Sequence, residues 1–272
     1  RDEEQRLVVT PDTGLVLILI PGGRTTIGAV PPGPLAPLGG PQVDRLANAV
    51  EGPLQEVELA PYFISKYPMT QGQWLRLEGN NPSYNQPKRA ADVSIDLRHP
   101  VENISWYETV AALRKLDLEL PTEAQWEHAA RAGTTTPWWT GAERESTQGA
   151  GNVADLTAQK FAANHGWDCE DWLDDGYYLH APVGSFRANA FGLHDVIGNV
   201  FEWCRDIYGF YGRVPLRPGD GLRLWSANTG RTARGAGFSS RLDWHRSSQR
   251  ANFQPDFKNP YLGVRPARNI RP

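Results

Sequence analysis

From Gly133 to its C-terminus the chain has almost no regular apolar periodicity. Turn residues, aromatics and acids alternate instead. That half cannot be built from long amphipathic helices or from strands with one wet face, because neither period is present. The chain's 27 glycines and 22 prolines fit a fold of short pieces. Loops of this kind need something to hold them. Two devices suit: aromatic packing, for which ten tryptophans are available, and bound ions.

Before Gly133 the order is easier to read. Leu15–Ile20 (LVLILI) ends at Pro21-Gly22-Gly23 and reads as a buried strand and turn. Gln55–Leu59 and Tyr62–Tyr67 are further strands, and Pro31–Pro53, rich in Pro and Gly, is a long loop. Thr70 caps a first helix, and Ser105–Leu116 forms a second that opens on a capping hydroxyl. A third is capped by Thr122 with Gln125 three residues on, and it should run to about Ala132 and stop at Gly133. Downstream, short segments such as Arg231–Arg234 and Gly263–Pro266 look like strands.

At 272 residues and 30.2 kDa the chain could make one large domain or two small ones. It shows no internal repeat and no linker, so a single domain over residues 1–272 is expected. A net charge of −3 and a pI near 6.1 give no electrostatic reason to expect nucleic acid. Arginine outnumbers lysine 23 to 5, which fits a GC-rich or heat-adapted, thermostable source. Cys169 and Cys204 could pair, but two cysteines make no disulfide framework and leave the compartment open. The run LVLILI is too short to span a bilayer, and no signal peptide is visible. The chain begins at Arg1 rather than at a Met, which leaves a missing upstream part open.

One segment carries more chemistry than the rest. Phe191–Asp206, FGLHDVIGNVFEWCRD, packs Asp195, Gly198, Asn199 and Glu202 between Phe191, Leu193, Phe201 and Trp203. Short oxygen-bearing side chains around a glycine, with a second carboxylate nearby, suit a hard cation such as calcium. Taken in isolation the same residues also read as a tight turn with solvated acids.

Several segments, in order, decide how that one is read. They are Ile18-Pro21-Gly22-Gly23, Phe63–Tyr67 with Thr70–Trp74, Pro100–Trp106, Leu120–Glu127, Asn189–Trp203, Arg234-Gly235 and Leu262–Arg265. Together they resemble the formylglycine-generating enzyme, or sulfatase-modifying-factor, family over about residues 11–268. The resemblance implies an α+β fold, a loop-rich variant of the C-type lectin fold with little regular structure. It also implies two structural calcium sites. The first would use Asn152 with Val153 and Asp175 with Tyr177. The second would use the carboxylates of Asp195 and Glu202 and the carbonyls of Gly198 and Val200. Hard oxygen ligands favour calcium over a transition metal.

The family's chemistry needs two cysteines near the C-terminus, whose thiolates bind copper(I) and drive oxidation of a substrate cysteine. No cysteine follows Cys204, and the corresponding segment reads Gly237–His245, GFSSRLDWH. No copper site and no formylglycine generation are therefore expected. Related iron enzymes take metal-binding histidines from an added helical domain. The six histidines here (His99, His128, His165, His180, His194 and His245) form no helical HxxxH pair.

A second branch with this fold, the variable proteins of diversity-generating retroelements in phages and bacteria, performs no chemistry. The chain is similar to it at Arg234-Gly235-Ala236-Gly237-Phe238, Arg246-Ser247-Ser248-Gln249-Arg250, Pro255-Asp256 and Gly263-Val264-Arg265. Between these fixed points stand Ser239, Ser240, Arg241, Asp243, Trp244, Gln249, Phe253, Gln254, Phe257, Asn259, Pro260 and Tyr261. Aromatics interleaved with short polar groups suit a binding face, because rigid rings give contact area and small polar groups adapt their hydrogen bonds. An ordinary buried core is the competing reading. The expected function is a binding and display protein that recognises a protein or surface ligand through residues 234–265, as a monomer. An oxidoreductase-like domain of unknown chemistry is the alternative. Arg246, Arg250, Asp256 and Arg265 are expected to be frame rather than face.

Overall fold

The computed structural model describes residues 7–87, 94–162, 166–224 and 229–270. Among these residues, nine short strands and four short helices carry the fold. The strands are β1 (Leu17–Ile20), β2 (Gly23–Ile27), β3 (Gln55–Leu59), β4 (Tyr62–Ser65), β5 (Phe201–Ile207), β6 (Arg231–Arg234), β7 (Ala251–Phe253), β8 (Leu262–Gly263) and β9 (Ala267–Asn269). The helices are α1 (Gln71–Glu78), α2 (Trp106–Arg114), α3 (Glu123–Arg131) and α4 (Leu156–Ala162). The architecture is the α+β, loop-rich, C-type-lectin-like one that the resemblance implies.

Three helices start where the side chains dictate. Thr70, Ser105 and Thr122 each accept the N3 backbone N–H while Gln73, Glu108 and Gln125 reach back to the cap N–H. Each box satisfies two of the N–H groups that a helix start leaves without partners. α3 ends one residue earlier than its glycine suggests, because Ala132 itself takes the left-handed conformation at φ 47°. All of α3 except His128 is buried although the helix is largely polar, so its polar side chains must find partners inside.

Among the described residues three sheets form, ordered β1-β4-β9, β2-β3 and β7-β6-β5-β8. LVLILI does not pair with Gly263-Val264-Arg265. β1 pairs with β4, and β4 pairs on its other side with β9, so Ala267–Asn269 joins the N-terminal sheet. Leu262-Gly263 instead runs parallel to Phe201-Glu202. One apolar core lies between the N-terminal strands and α3, around Ile20, Ile64, Trp126 and Leu193. A second packs α1 and α2 against β5, around Trp74, Leu113, Phe201 and Trp203. A third, around Trp138, Leu173, Ile197 and Leu242, supports the loops.

The two cysteines do not pair. Cys204 is buried in β5 and Cys169 is half-exposed near the Trp167 carbonyl. No helix among the described residues is long and apolar enough to cross a membrane.

Candidate functional site

The C-terminal segment hangs on the buried Arg234, Arg246, Arg250 and Arg265, each seated by groups far away in sequence. Arg250 bonds Glu123, at the start of α3, through Nε at 2.5 Å and Nη2 at 2.8 Å, and its Nη1 donates to the Val50 and Gly209 carbonyls. Arg223 holds the same carboxylate at 2.9 Å. Burial alone would raise the Glu123 pKa, but the guanidinium groups of Arg250, Arg234 and Arg223 outweigh it and hold it at about 2. Arg234 pairs with Glu127 and donates to the carbonyls of Ser247, Ser248 and Gln249. Arg246 reaches the loop 44–51, with Asp44 at 2.7 Å and Glu51 at 2.7 and 2.8 Å. Charge-assisted, bidentate contacts of this kind are the strong ones in a protein interior, and arginine's planar fork suits them.

Between these anchors the chain opens outward. Trp244 stands on a 3-10 turn, Leu242–His245, with 52% of its surface exposed. Ser239, Ser240, Arg241 and Asp243 are half-exposed around it. Arg241 bonds Asp168 at 3.0 Å and Glu170 at 3.3 Å, and Asp243 lies 3.5 Å from Arg144. Further on, the Phe253 and Phe257 rings stack at 5.1 Å, and Tyr261 packs on Phe201 at 5.9 Å. These three are half-buried, with Gln254 exposed and Asn259 and Pro260 half-exposed beside them. This aromatic group sits against the start of α2, where Trp106 N donates to the Pro255 carbonyl at 2.9 Å and Lys258 pairs with Glu108 at 2.5 Å. The face therefore has two parts, Trp244 with its polar neighbours and the Phe253–Tyr261 group.

Two residues change sides. Gln249 is 8% exposed and its side chain accepts from Arg246 at 2.8 Å, so it belongs to the frame and not to the face. Asp256 is exposed rather than seated beneath the surface. Arg246, Arg250 and Arg265 are frame residues as expected.

In the residues read as the second calcium set, Glu202 is already engaged, while the buried Asp195 Oδ1 has no hydrogen-bond partner. Both Glu202 oxygens are taken by Arg265 at 2.8 Å, and Trp126 Nε1 donates to one of them at 2.6 Å. Arg265 also donates to the carbonyls of Ser65, Lys66, His194 and Asp195. The cation held at this place is a guanidinium. Asp195 accepts the Gly184 N–H, and burial pushes its pKa up to about 7. Gly198 and Val200 lie in the turn leading into β5. At Gly198 φ is +78° and a Cβ would fall 1.7 Å from the Asn152 carbonyl oxygen, so only glycine fits.

The first set is brought together. Asp175 accepts the N–H groups of Val153 and Tyr177, each at 2.8 Å, and its own N–H bonds Asp155. Asn152 is buried, with Oδ1 free of any hydrogen bond and Nδ2 donating to the Leu179 carbonyl. Burial, then the neighbouring Asp155, pushes the Asp175 pKa up to about 7. A buried and a half-buried carboxylate with an amide oxygen without a donor suit a hard cation. No group of three or more His, Cys, Asp or Glu among the described residues is arranged to hold a metal, so calcium there would lean on the amide and on backbone carbonyls.

The sulfatase-modifying factor enzyme 1-like domain matches residues 7–270. The chain belongs to that family. A formylglycine-generating enzyme of Thermomonospora curvata is 26% identical, with 92% of each chain covered. That of Streptomyces coelicolor is 29% identical over 71% of this chain, which spans only 59% of that enzyme's length. Among solved structures, Treponema denticola variable protein 1 superposes with a TM-score of 0.73 at 21% identity, covering 94% of this chain and 95% of that one. At that identity the likeness is one of fold.

Proposed function

We propose that this protein binds a protein or surface ligand through its C-terminal segment, as the variable protein of a diversity-generating retroelement. The observation that supports the reading is the division between frame and face. Arg234, Arg246, Arg250 and Arg265 are buried and paired with Glu127, Glu51, Glu123 and Glu202. Ser239–Trp244 and Phe253–Tyr261, which lie between them, keep exposed or half-exposed side chains except at Leu242. Residues on such a face can change without unpairing a buried charge. The gene's surroundings test this. A reverse transcriptase and a near-copy of the coding segment should be found, with differences at the codons of the face and none at those of the four arginines. A copy altered equally at arginine codons, or no copy at all, counts against the reading.

The same segment argues against formylglycine generation. Ser239 and Ser240 offer hydroxyls in the region where the family's chemistry needs soft thiolates. Incubated with a cysteine-bearing sulfatase-type peptide, with and without copper, the protein should leave the thiol unchanged by mass spectrometry. Copper-dependent loss of the thiol with aldehyde formation would overturn this. A single structural calcium, held by Asn152 and Asp175 with carbonyls of Val153 and Tyr177, completes the proposal.

A further inference from the structure

A cleft of about 1070 Å³ is lined by Leu7, Val8 and Val9, Lys66 and Tyr67, Arg98, residues 182–188 and His194. The segment 234–265 contributes nothing to its lining. Among the described residues its charges are unbalanced. The half-buried Lys66 ammonium donates to the Gly192 carbonyl at 2.9 Å and lies 5.7 Å from the Tyr67 ring centre, and it meets no carboxylate among the described residues. Arg187 lies over Trp139 at 5.6 Å and donates to the Ser146 and Gln148 carbonyls, again without a carboxylate. Arg98 is paired with Asp96 through Nε and Nη2. His194 is neutral, because burial lowers its pKa to about 4, and its Nδ1 donates to the Phe186 carbonyl at 2.7 Å. Asp195, the nearest acid in sequence, is buried and does not line the cleft.

A partly desolvated cation without a counter-ion is costly, and an anionic ligand removes the cost. The walls narrow the choice of anion. Val8, Val183, Phe186 and the Tyr67 ring are apolar, so a phosphate would set several hydrated oxygens against hydrocarbon. A single carboxylate on an apolar body would place its charge on Lys66 and its body on those walls.

We propose that this cleft binds a carboxylate carried on an aliphatic or aromatic body, with Lys66 as its counter-ion and Arg187 at the rim. The site is separate from the C-terminal face, so Trp244→Ala should leave it unaffected and either proposal can fail without the other. The carboxylate could belong to a small free acid or to the C-terminus of a peptide. Calorimetric titration with 3-phenylpropionate and with its neutral amide tests the shared chemistry. The acid should saturate at one per chain and the amide should not bind. Lys66→Met should weaken the acid about tenfold or more, the loss expected when a charged hydrogen bond is removed, and Lys66→Arg should retain it. Ser185→Trp, at an exposed lining position, should block the cleft and serves even where Lys66→Met does not fold. A short peptide ending in Phe, free or amidated, separates the sources. Tighter binding of the free peptide than of the small acid assigns a peptide C-terminus, and weaker binding assigns a free acid. Equal binding of acid and amide, failure to saturate, or parent-like binding by both Lys66→Met and Ser185→Trp would overturn the proposal.

Discussion

Arg250 directs two donors to Glu123 and two bonds to carbonyls, while Trp244, six residues earlier, leaves half its surface in solvent. Arg250→Ala removes two charged bonds to the buried Glu123, which keeps Arg223, and leaves the Val50 and Gly209 carbonyls without that donor, so it should cost about 3–5 kcal/mol in urea denaturation. Trp244→Ala should stay within about 0.5 kcal/mol, as exposed substitutions usually do, yet weaken ligand capture. Loss of the fold in Trp244→Ala would reduce the face to core. His245 gives a pH test. It is buried, its Nδ1 donates to the Arg241 carbonyl at 2.8 Å, and burial lowers its pKa to about 4. Between its unfolded value near 6.5 and about 4, the unfolded chain binds a proton that the folded chain does not. Stability is therefore lost as pH falls through that window. His99 and His194 act in the same direction, whereas Asp175, Asp195 and Asp206, raised to about 7, 7 and 6, act in the other. The difference between parent and His245→Asn isolates one group: the parent should lose up to about 3 kcal/mol more on acidification from pH 7 to 4. Parallel pH profiles would show that His245 is not held neutral. At this scale Arg246, Arg250 and Arg265 were legible as frame because their spacing repeats a family pattern. Gln249 and Asp256 were not, since a short polar residue carries no mark of which way it faces.

The helix starts were the most legible elements. A capping box acts over three residues and needs nothing from the rest of the molecule. Thr70→Ala should cost about 1 kcal/mol. Thr122→Ala should cost more, because its Oγ1 also donates to the buried Asp220 carbonyl at 2.5 Å. Thermal melts of the two variants check that order, and equal losses would mean the second bond contributes nothing. The strand β5 was read only as an ion-binding segment. Both of its faces are largely buried, and it carries Glu202 and Asp206 inside, so neither alternation nor an apolar run marks it. α4 escaped notice for a related reason, being only seven residues long.

For the molecule as a whole, an ion that binds only the folded form raises its stability by mass action. Calcium should raise the melting temperature, chelation should reverse the rise, and Asp175→Asn should abolish it. Glu202→Gln should lower the melting temperature outright but leave the calcium response intact, because Arg265 already supplies the cation there. A calcium response lost in Glu202→Gln and kept in Asp175→Asn would restore the second set as the metal site. The amino-acid sequence alone was enough to determine the α+β, loop-rich class, the family, the capped helices and the lack of a cysteine pair after Cys204. These depend on residue type and on spacing over a few positions, or on motifs in a given order. Only the tertiary structure decided that Glu202 meets a guanidinium 63 residues away, that β4 joins β1 to β9, and that Lys66 faces a cleft with no carboxylate among the described lining residues. Each of those depends on which distant groups the packed chain brings within a few ångströms of one another, and no local pattern records it.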